Sequence, residues 1–306
     1  MGNPAPDRVP LSAVLMLLAV SALWGANWPA MKIGLTELSP FAFRGLVNVV
    51  GAAGLLGLTW VRGGALRPPA GDRPHGRRRA WMLLAICGVI NFSGFGALIM
   101  FGVELVGSGR AAALGNLYPV WAVILAVALF GETLRWQWAL AVLLCVAGVL
   151  LFFIADPQAL DGRLLGFGYL ILGSMLFAIG TVLVRMARLQ MPMSAIVGWQ
   201  EAFGAVPLLA IALVVDPGIR QLPGTAALLA IGYVGIFTGI LSFWMYFTVV
   251  AQVPVAVSTV GVQLTPVFGF LVGALLLGET VRLPDIGALL LIGTAVYLVV
   301  APPRRR

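Results

Sequence analysis

Residues 119–135 read Pro-Val-Trp-Ala-Val-Ile-Leu-Ala-Val-Ala-Leu-Phe-Gly-Glu-Thr-Leu-Arg, and residues 266–282 read Pro-Val-Phe-Gly-Phe-Leu-Val-Gly-Ala-Leu-Leu-Leu-Gly-Glu-Thr-Val-Arg. Each copy opens on a proline, Pro119 or Pro266. Eleven apolar residues follow, and each copy closes on Gly-Glu-Thr, at Gly131-Glu132-Thr133 and at Gly278-Glu279-Thr280. One such motif carries little information. A matched set at a spacing of 147, in a chain of 306 residues, marks an internal duplication. Ser21, Trp24 and Lys32 correspond less sharply to Ser174, Phe177 and Arg185 at an offset of 153.

Outward from these copies the chain is apolar almost throughout: 61% of residues are hydrophobic and 10% charged, with a mean hydropathy of +1.03. So few charges cannot cover the hydrated exterior of a soluble domain of this length, so lipid is the expected solvent. A helix crossing the hydrocarbon needs about 20 apolar residues. That ruler predicts spans over 11–34, 41–61, 80–102, 111–130, 136–154, 165–187, 193–214, 225–249, 255–277 and 284–301. Turn chemistry marks the breaks, at Leu38-Ser39-Pro40, Gly107-Ser108-Gly109, Asp156-Pro157, Asp216-Pro217-Gly218, Pro254 and Leu283-Pro284. No signal peptide is evident, since the stretch from Leu11 is too long for an h-region.

The expected fold is therefore an all-α polytopic membrane protein, ten transmembrane helices arranged as two five-helix repeats over 1–154 and 155–306. Five spans per half is odd, so the second half enters the membrane in the opposite sense, the inverted-repeat plan of secondary transporters. With both termini in the cytoplasm, 13 Lys or Arg lie inside and 6 outside, the bias that normally sets topology. The net charge of +8 is spread over those short connecting segments, which excludes a nucleic-acid partner as its explanation. The expected partners are a small-molecule substrate and the lipid bilayer, with a monomer sufficient.

Trp24-Gly25-Ala26-Asn27-Trp28-Pro29 in the first span, Arg44 early in the second, and the paired Gly-Glu-Thr endings resemble the EamA branch of the drug/metabolite transporter superfamily. The resemblance covers essentially the whole chain. It implies the same ten-span, two-repeat layout and export, or sometimes uptake, of amino acids and related small metabolites across the cytoplasmic (inner) membrane. The first span lacks the mid-membrane Glu of the short four-span multidrug members, which argues against proton-driven efflux of lipophilic cations.

Several side chains are candidates for the substrate path. Pro119 and Pro266, inside spans four and nine, are expected to free the carbonyls of Gly115 and Val262, and Asn116 and Gln263 sit one residue beyond those carbonyls. Tyr118 adjoins the first break. Trp24, Asn27 and Trp28 share a face of span one by the i, i+3, i+4 rule. Asn91, Phe92 and Phe95 in span three, with Phe243, Trp244 and Tyr246 in span eight, could stack on a flat or apolar solute. Asn and Gln equally serve as glue between spans, and aromatics as core.

Glu201 lies roughly 12 Å deep in span seven at 1.5 Å per residue. An acid there couples protons, meets a substrate ammonium, or pairs with Arg185 or Arg188. No relay partner is visible, so a facilitator is favoured over a proton-coupled carrier. Arg44, near the outer end of span two, can snorkel. Gly-Glu-Thr reads as a turn, with Gly as a left-handed cap and Glu at the start of the next helix.

No enzyme is expected. His-Glu-x-x-His and Gly-x-Ser-x-Gly are absent, and the single histidine, His75, sits in a basic loop. No cofactor and no metal are expected, and Cys87 and Cys145 lie in apolar runs as buried small hydrophobes. No phosphate-binding loop points to an ATP-driven pump, no filter segment to a channel. A lipid-interacting scaffold is the remaining alternative.

Overall fold

The computed structural model describes residues 10–69, 76–130, 136–154, 163–216, 223–250 and 262–300. Every regular element among the described residues is helical. In chain order these are α1 (Leu11–Gly34), α2 (Pro40–Val61), α3 (Gly76–Gly88), α4 (Phe95–Val106), α5 (Ser108–Gly115), α6 (Tyr118–Phe130), α7 (Trp136–Ile154), α8 (Leu164–Ala187) and α9 (Met193–Val215). The series continues with α10 (Thr225–Gly232), α11 (Ser242–Val250), α12 (Thr265–Leu277) and α13 (Leu283–Val300). Wide π-helical turns, Val89–Gly94 and Tyr233–Leu241, join α3 to α4 and α10 to α11. Among the described residues, six helices are long and apolar enough to cross a membrane: Leu11–Gly34, Pro40–Val61, Gly76–Val106, Leu164–Val184, Met193–Val215 and Thr225–Tyr246. Trp136–Leu151, Thr265–Leu277 and Leu283–Leu298 are shorter apolar helices.

Local chemistry explains the boundaries. Ser39 caps α2, its side-chain oxygen accepting from the Ala42 amide at 3.2 Å, and Pro40 fills the first turn, where no N–H is needed. Gly278 closes α12 in the left-handed conformation, φ +64°, as its place before Glu279 suggests. The π-turns are not marked by proline. The Thr238 hydroxyl donates to the Tyr233 carbonyl at 3.2 Å and that of Ser242 to Phe237 at 2.8 Å, each five residues back, so side chains serve carbonyls of the widened turn.

The two prolines behave differently from the sequence expectation. Neither kinks the middle of a helix. Pro119 is the second residue of α6 and Pro266 sits in the first turn of α12, after a single 3-10 turn at Val262–Leu264. The chain breaks ahead of each proline instead, at Asn116-Leu117 and at 262–264. Proline is favoured at a helix start for the reason it is excluded from an interior: its missing N–H is no loss there. The Val262 carbonyl is met by the Thr265 hydroxyl at 2.7 Å.

Helix packing brings helices far apart in sequence together. α2 and α9 run antiparallel side by side. The Ser39 amide donates to Asp216 Oδ2 at 3.3 Å at one end, and Thr59 and Ser194 share a 2.7 Å hydroxyl contact at the other. α3 and α4 run parallel to α9, with the Ser93 hydroxyl donating to the Gly204 carbonyl at 2.7 Å. α1 lies against α12 so closely that a Cβ on Gly25 would stand 2.8 Å from the Thr265 carbonyl oxygen and 2.9 Å from the Gly269 amide. Backbone meets backbone there, which only glycine permits. α7 packs on α13, and α8 on α4, α5 and α6. The π-turns end at Gly94 and Leu241, the same 147-residue spacing as Pro119 and Pro266.

Candidate functional site

Two clusters of aromatic rings lie between the helices. Trp24 of α1 stands edge-on to Phe243 at 5.8 Å and tilted against Tyr246 at 5.6 Å, both from α11, while its indole N–H donates to the Thr238 carbonyl at 3.3 Å. Tyr118 of α6 packs on Phe177 of α8 at 5.2 Å, and Phe177 on Phe95 of α4 at 4.8 Å. Of the residues expected to line a path, Trp24, Phe243 and Tyr246 thus form one ring cluster, and Tyr118 and Phe95 a second, bridged by Phe177. The correspondence of Phe177 to Trp24 at an offset of 153 was the signal for it.

Other candidates lie elsewhere. Trp28 is wedged against Gly115 and Gly269 as a buried packing residue between α1, α5 and α12. Trp244 points away, 41% exposed. Asn27 donates to Met31 Sδ at 3.8 Å, leaving its Oδ1 buried and unpartnered. Asn116 donates to the Ala112 carbonyl at 2.7 Å, ending α5, and lines a mostly apolar cavity of about 280 Å³ together with Pro266. Asn116 of the first break and Pro266, just past the second, therefore line one space. The side chain of Gln263 and the first Gly-Glu-Thr, 131–133, lie outside the described residues.

A polar group forms between α2, the π-turn at 89–94 and α9. Asn91 donates to Gln200 Oε1 at 2.9 Å and packs on Gly180 of α8; Asn48 reaches the Phe92 carbonyl at 3.5 Å. Glu201 is 5% exposed, its carboxylate against Gly51 of α2. The charge facing it is Arg44 and not the expected Arg188, and the side chain of Arg185 lies outside the described residues. Arg44 does not snorkel outward. It folds against Gly96 of α4, with Nε sealed from solvent.

Glu279 corrects a second expectation. It does not start the next helix, which begins at Leu283. Its carboxylate instead meets the start of α5, accepting from the Ser108 amide at 2.9 Å, the Ser108 hydroxyl at 2.7 Å and the Gly109 amide at 3.3 Å, and it pairs with Lys32 at 2.7 Å. Burial pushes this carboxyl up, but Lys32 and the two Ser108 donors outweigh it and hold the group below the usual carboxylate value. Beside it, Arg110 pairs with the buried Asp285 at 2.8 Å. Lys32, Arg110 and Glu279 border a cavity of about 350 Å³ that Glu104, Arg163 and Arg282 also line.

With this geometry in view, the family model described as "EamA-like transporter family" matches residues 11–154 and 164–301. The chain belongs to the EamA-like transporter family. It is similar to a WAT1-related chloroplastic protein of Arabidopsis thaliana, 29% identical over 294 residues, 93% of this chain and 67% of the relative. It is also similar to the uncharacterized inner membrane transporter YedA of Escherichia coli K12, 27% identical, covering 92% and 89%. A protein of Streptantibioticus cattleyicolor named "probable terminal-alkyne amino-acid exporter" is 26% identical, covering 87% and 86%. One solved crystal structure superposes with a TM-score of 0.63 at 20% identity, over 93% of this chain and 96% of that one, a likeness of fold. This EamA-like chain is an integral membrane transporter, and its family and relatives are named for transport and not for catalysis.

Proposed function

We propose that this EamA-like protein is a secondary carrier that exports small metabolites such as amino acids by alternating access, its ten spans forming two inverted five-helix repeats with both termini in the cytoplasm. The observation that carries the reading is the matched placement of special features in the two halves. Among the described residues, a π-turn and, further on, a proline-initiated helix occur in each half, and both pairs, Gly94 with Leu241 and Pro119 with Pro266, recur at 147 residues. In the ten-span order, α5 with α6 makes the fourth span, and α10 with α11 the eighth. Such features at corresponding places in two halves are the mark of a site between repeats. The two aromatic clusters, one around Trp24 and one around Phe177, supply stacking surface there, drawn from both halves. The relative named as an amino-acid exporter favours an amino acid or a similar solute.

The test is a flux screen of amino acids and nucleobase-like solutes in proteoliposomes, with and without an imposed pH gradient. The reading requires saturable flux of at least one such solute. Vesicles that pass none of them, while binding lipid normally, would move the protein to a scaffold role.

A further inference from the structure

The cavity of about 280 Å³ that Asn116 and Pro266 line is a groove along α13, beside the first turns of α12. Its floor is buried: Pro266 on α12, with Ile292 and Val296 of α13 at most 2% exposed. Its rim is exposed, with Leu290 at 66%, Tyr297 at 51% and Val267 at 44%. Leu264, Val267 and Leu271, three and four residues apart, carry one exposed apolar face past the groove. In a membrane transporter that face meets hydrocarbon. A Cβ built on Gly293, which also lines the groove, would meet no packing neighbour within 4 Å among the described residues.

The groove has the length of one leaflet. Leu289 and Tyr297 are eight residues apart, about 12 Å at 1.5 Å per residue. A hydrocarbon core about 30 Å thick gives each leaflet about 15 Å. Tyr297 stands three residues before the end of α13, where aromatic side chains meet the headgroup layer. Asn116 lies eight residues beyond Ser108, about 12 Å from the start of α5, and so meets the groove near mid-membrane. The polar donors of the lining are engaged locally. The Thr294 hydroxyl donates to the Leu290 carbonyl and the Asn116 amide to the Ala112 carbonyl, each at 2.7 Å. That leaves little polar glue for a partner helix, and apolar surface alone gives helices no drive to associate in lipid.

We propose that the groove between α12 and α13 holds one acyl chain of a bilayer phospholipid, inserted from the leaflet at the end of α13 and reaching the helix break at Asn116. The chain covers the floor at Ile292 and Val296 and touches Pro266 in the first turn of α12. Bilayer lipid then forms part of the wall around both helix breaks, where an ordinary lipid-facing surface would stop at the rim. The depth of the groove rests on the ten-span reading, in which α13 and the rod of α5 and α6 each cross the membrane. The identity of the solute carried does not enter.

The probe is phosphatidylglycerol with a photoactivatable diazirine near the end of one acyl chain, mixed into vesicles of the same lipid that carry the protein. Adducts are mapped by mass spectrometry after irradiation. Lipid around the perimeter reaches any exposed residue in mid-span, so Val206 of α9, 66% exposed, is the reference. The site predicts an adduct on Asn116 as well as on Val206. Gly293→Phe should fill the groove and cut the Asn116 adduct about tenfold relative to Val206, the effect of losing about two buried methylenes. Gly293→Ala, which leaves the groove open, should keep it. Wild-type labelling of Val206 and the rim with Asn116 bare overturns the site without need of a variant, as does equal labelling of Asn116 in Gly293→Phe. Crosslinks from the rim to a second copy of the chain, in place of lipid, overturn it in favour of a dimer interface. Failure of the ten-span layout is a separate result, read from the faces at which Gly64→Cys and Gly218→Cys react.

Discussion

Lys32 and Glu279, 247 residues apart in sequence, meet at 2.7 Å where α1 ends, and the same carboxylate holds the first amides of α5. One side chain from the second half thus ties together two helices of the first. An anion at a helix start is favoured by the exposed N–H groups and by the helix dipole. Arg110 and Asp285 make a second bond across the same end of the bundle.

The lowered pKa of Glu279 fixes the sign of a pH effect. A depressed carboxyl contributes stability that is complete above its unfolded value, 4.5, and is lost as pH falls through the lower folded value. Thermal melts of the detergent-purified protein should therefore drop on acidification below about pH 4.5. Glu279→Gln should lower Tm near neutrality, by the equivalent of about 1–2 kcal/mol for a lost cap, and flatten this part of the acid dependence. A variant that melts like the wild type at every pH would show that the contact contributes nothing.

The prolines at helix starts make a separate prediction. At such positions Pro119→Ala and Pro266→Ala remove no strain and restore no interior hydrogen bond, so each should change stability by less than about 1 kcal/mol. Both should remain extractable and monodisperse in detergent. If the broken segments serve transport, flux in proteoliposomes slows in each. Unchanged rates in both would leave the breaks as packing features.

The ten-span layout predicts which side each connection faces. Gly64→Cys should react with an impermeant thiol reagent only from the cytoplasmic side, and Gly218→Cys only from the opposite side. The cysteine-free background requires Cys87 and Cys145 to be replaced, and both are buried small side chains that tolerate a volume-conserving change. Labelling of the two sites from one face would refute the layout.

Much of the fold was legible because lipid demands long apolar helices: the windows at 11–34, 136–154 and 193–214 coincide with α1, α7 and α9 within a residue. Trp24, Phe243, Tyr246, Tyr118 and Phe95 could be picked out as candidates from residue type and helical spacing, but not which of them would touch. What could not be read depends on the rotation of one helix against another. Trp28 and Trp244 have the same chemistry as Trp24, but one is wedged against Gly115 and the other turned outward, and helix packing decides which. Glu279 looked like a local turn residue because its partners, Lys32 and Ser108, are 247 and 171 positions away. The π-turns carry no composition mark. Arg44 and Glu201 were each visible as charges in apolar spans, but their facing one another follows from the antiparallel contact of α2 with α9 and had no local signal.

The central claim is that this protein carries solute by alternating access, and trans-stimulation tests it most directly. Proteoliposomes preloaded with unlabelled L-phenylalanine, and a matched empty set, are given radiolabelled L-phenylalanine outside. A carrier must return its site across the membrane, and the loaded site returns faster than or in exchange with solute, so uptake should be several-fold faster into the preloaded vesicles. Uptake that is saturable and accelerated by internal substrate is the predicted result. Uptake that is the same in both sets, rising linearly with concentration, would contradict the account and indicate a pore.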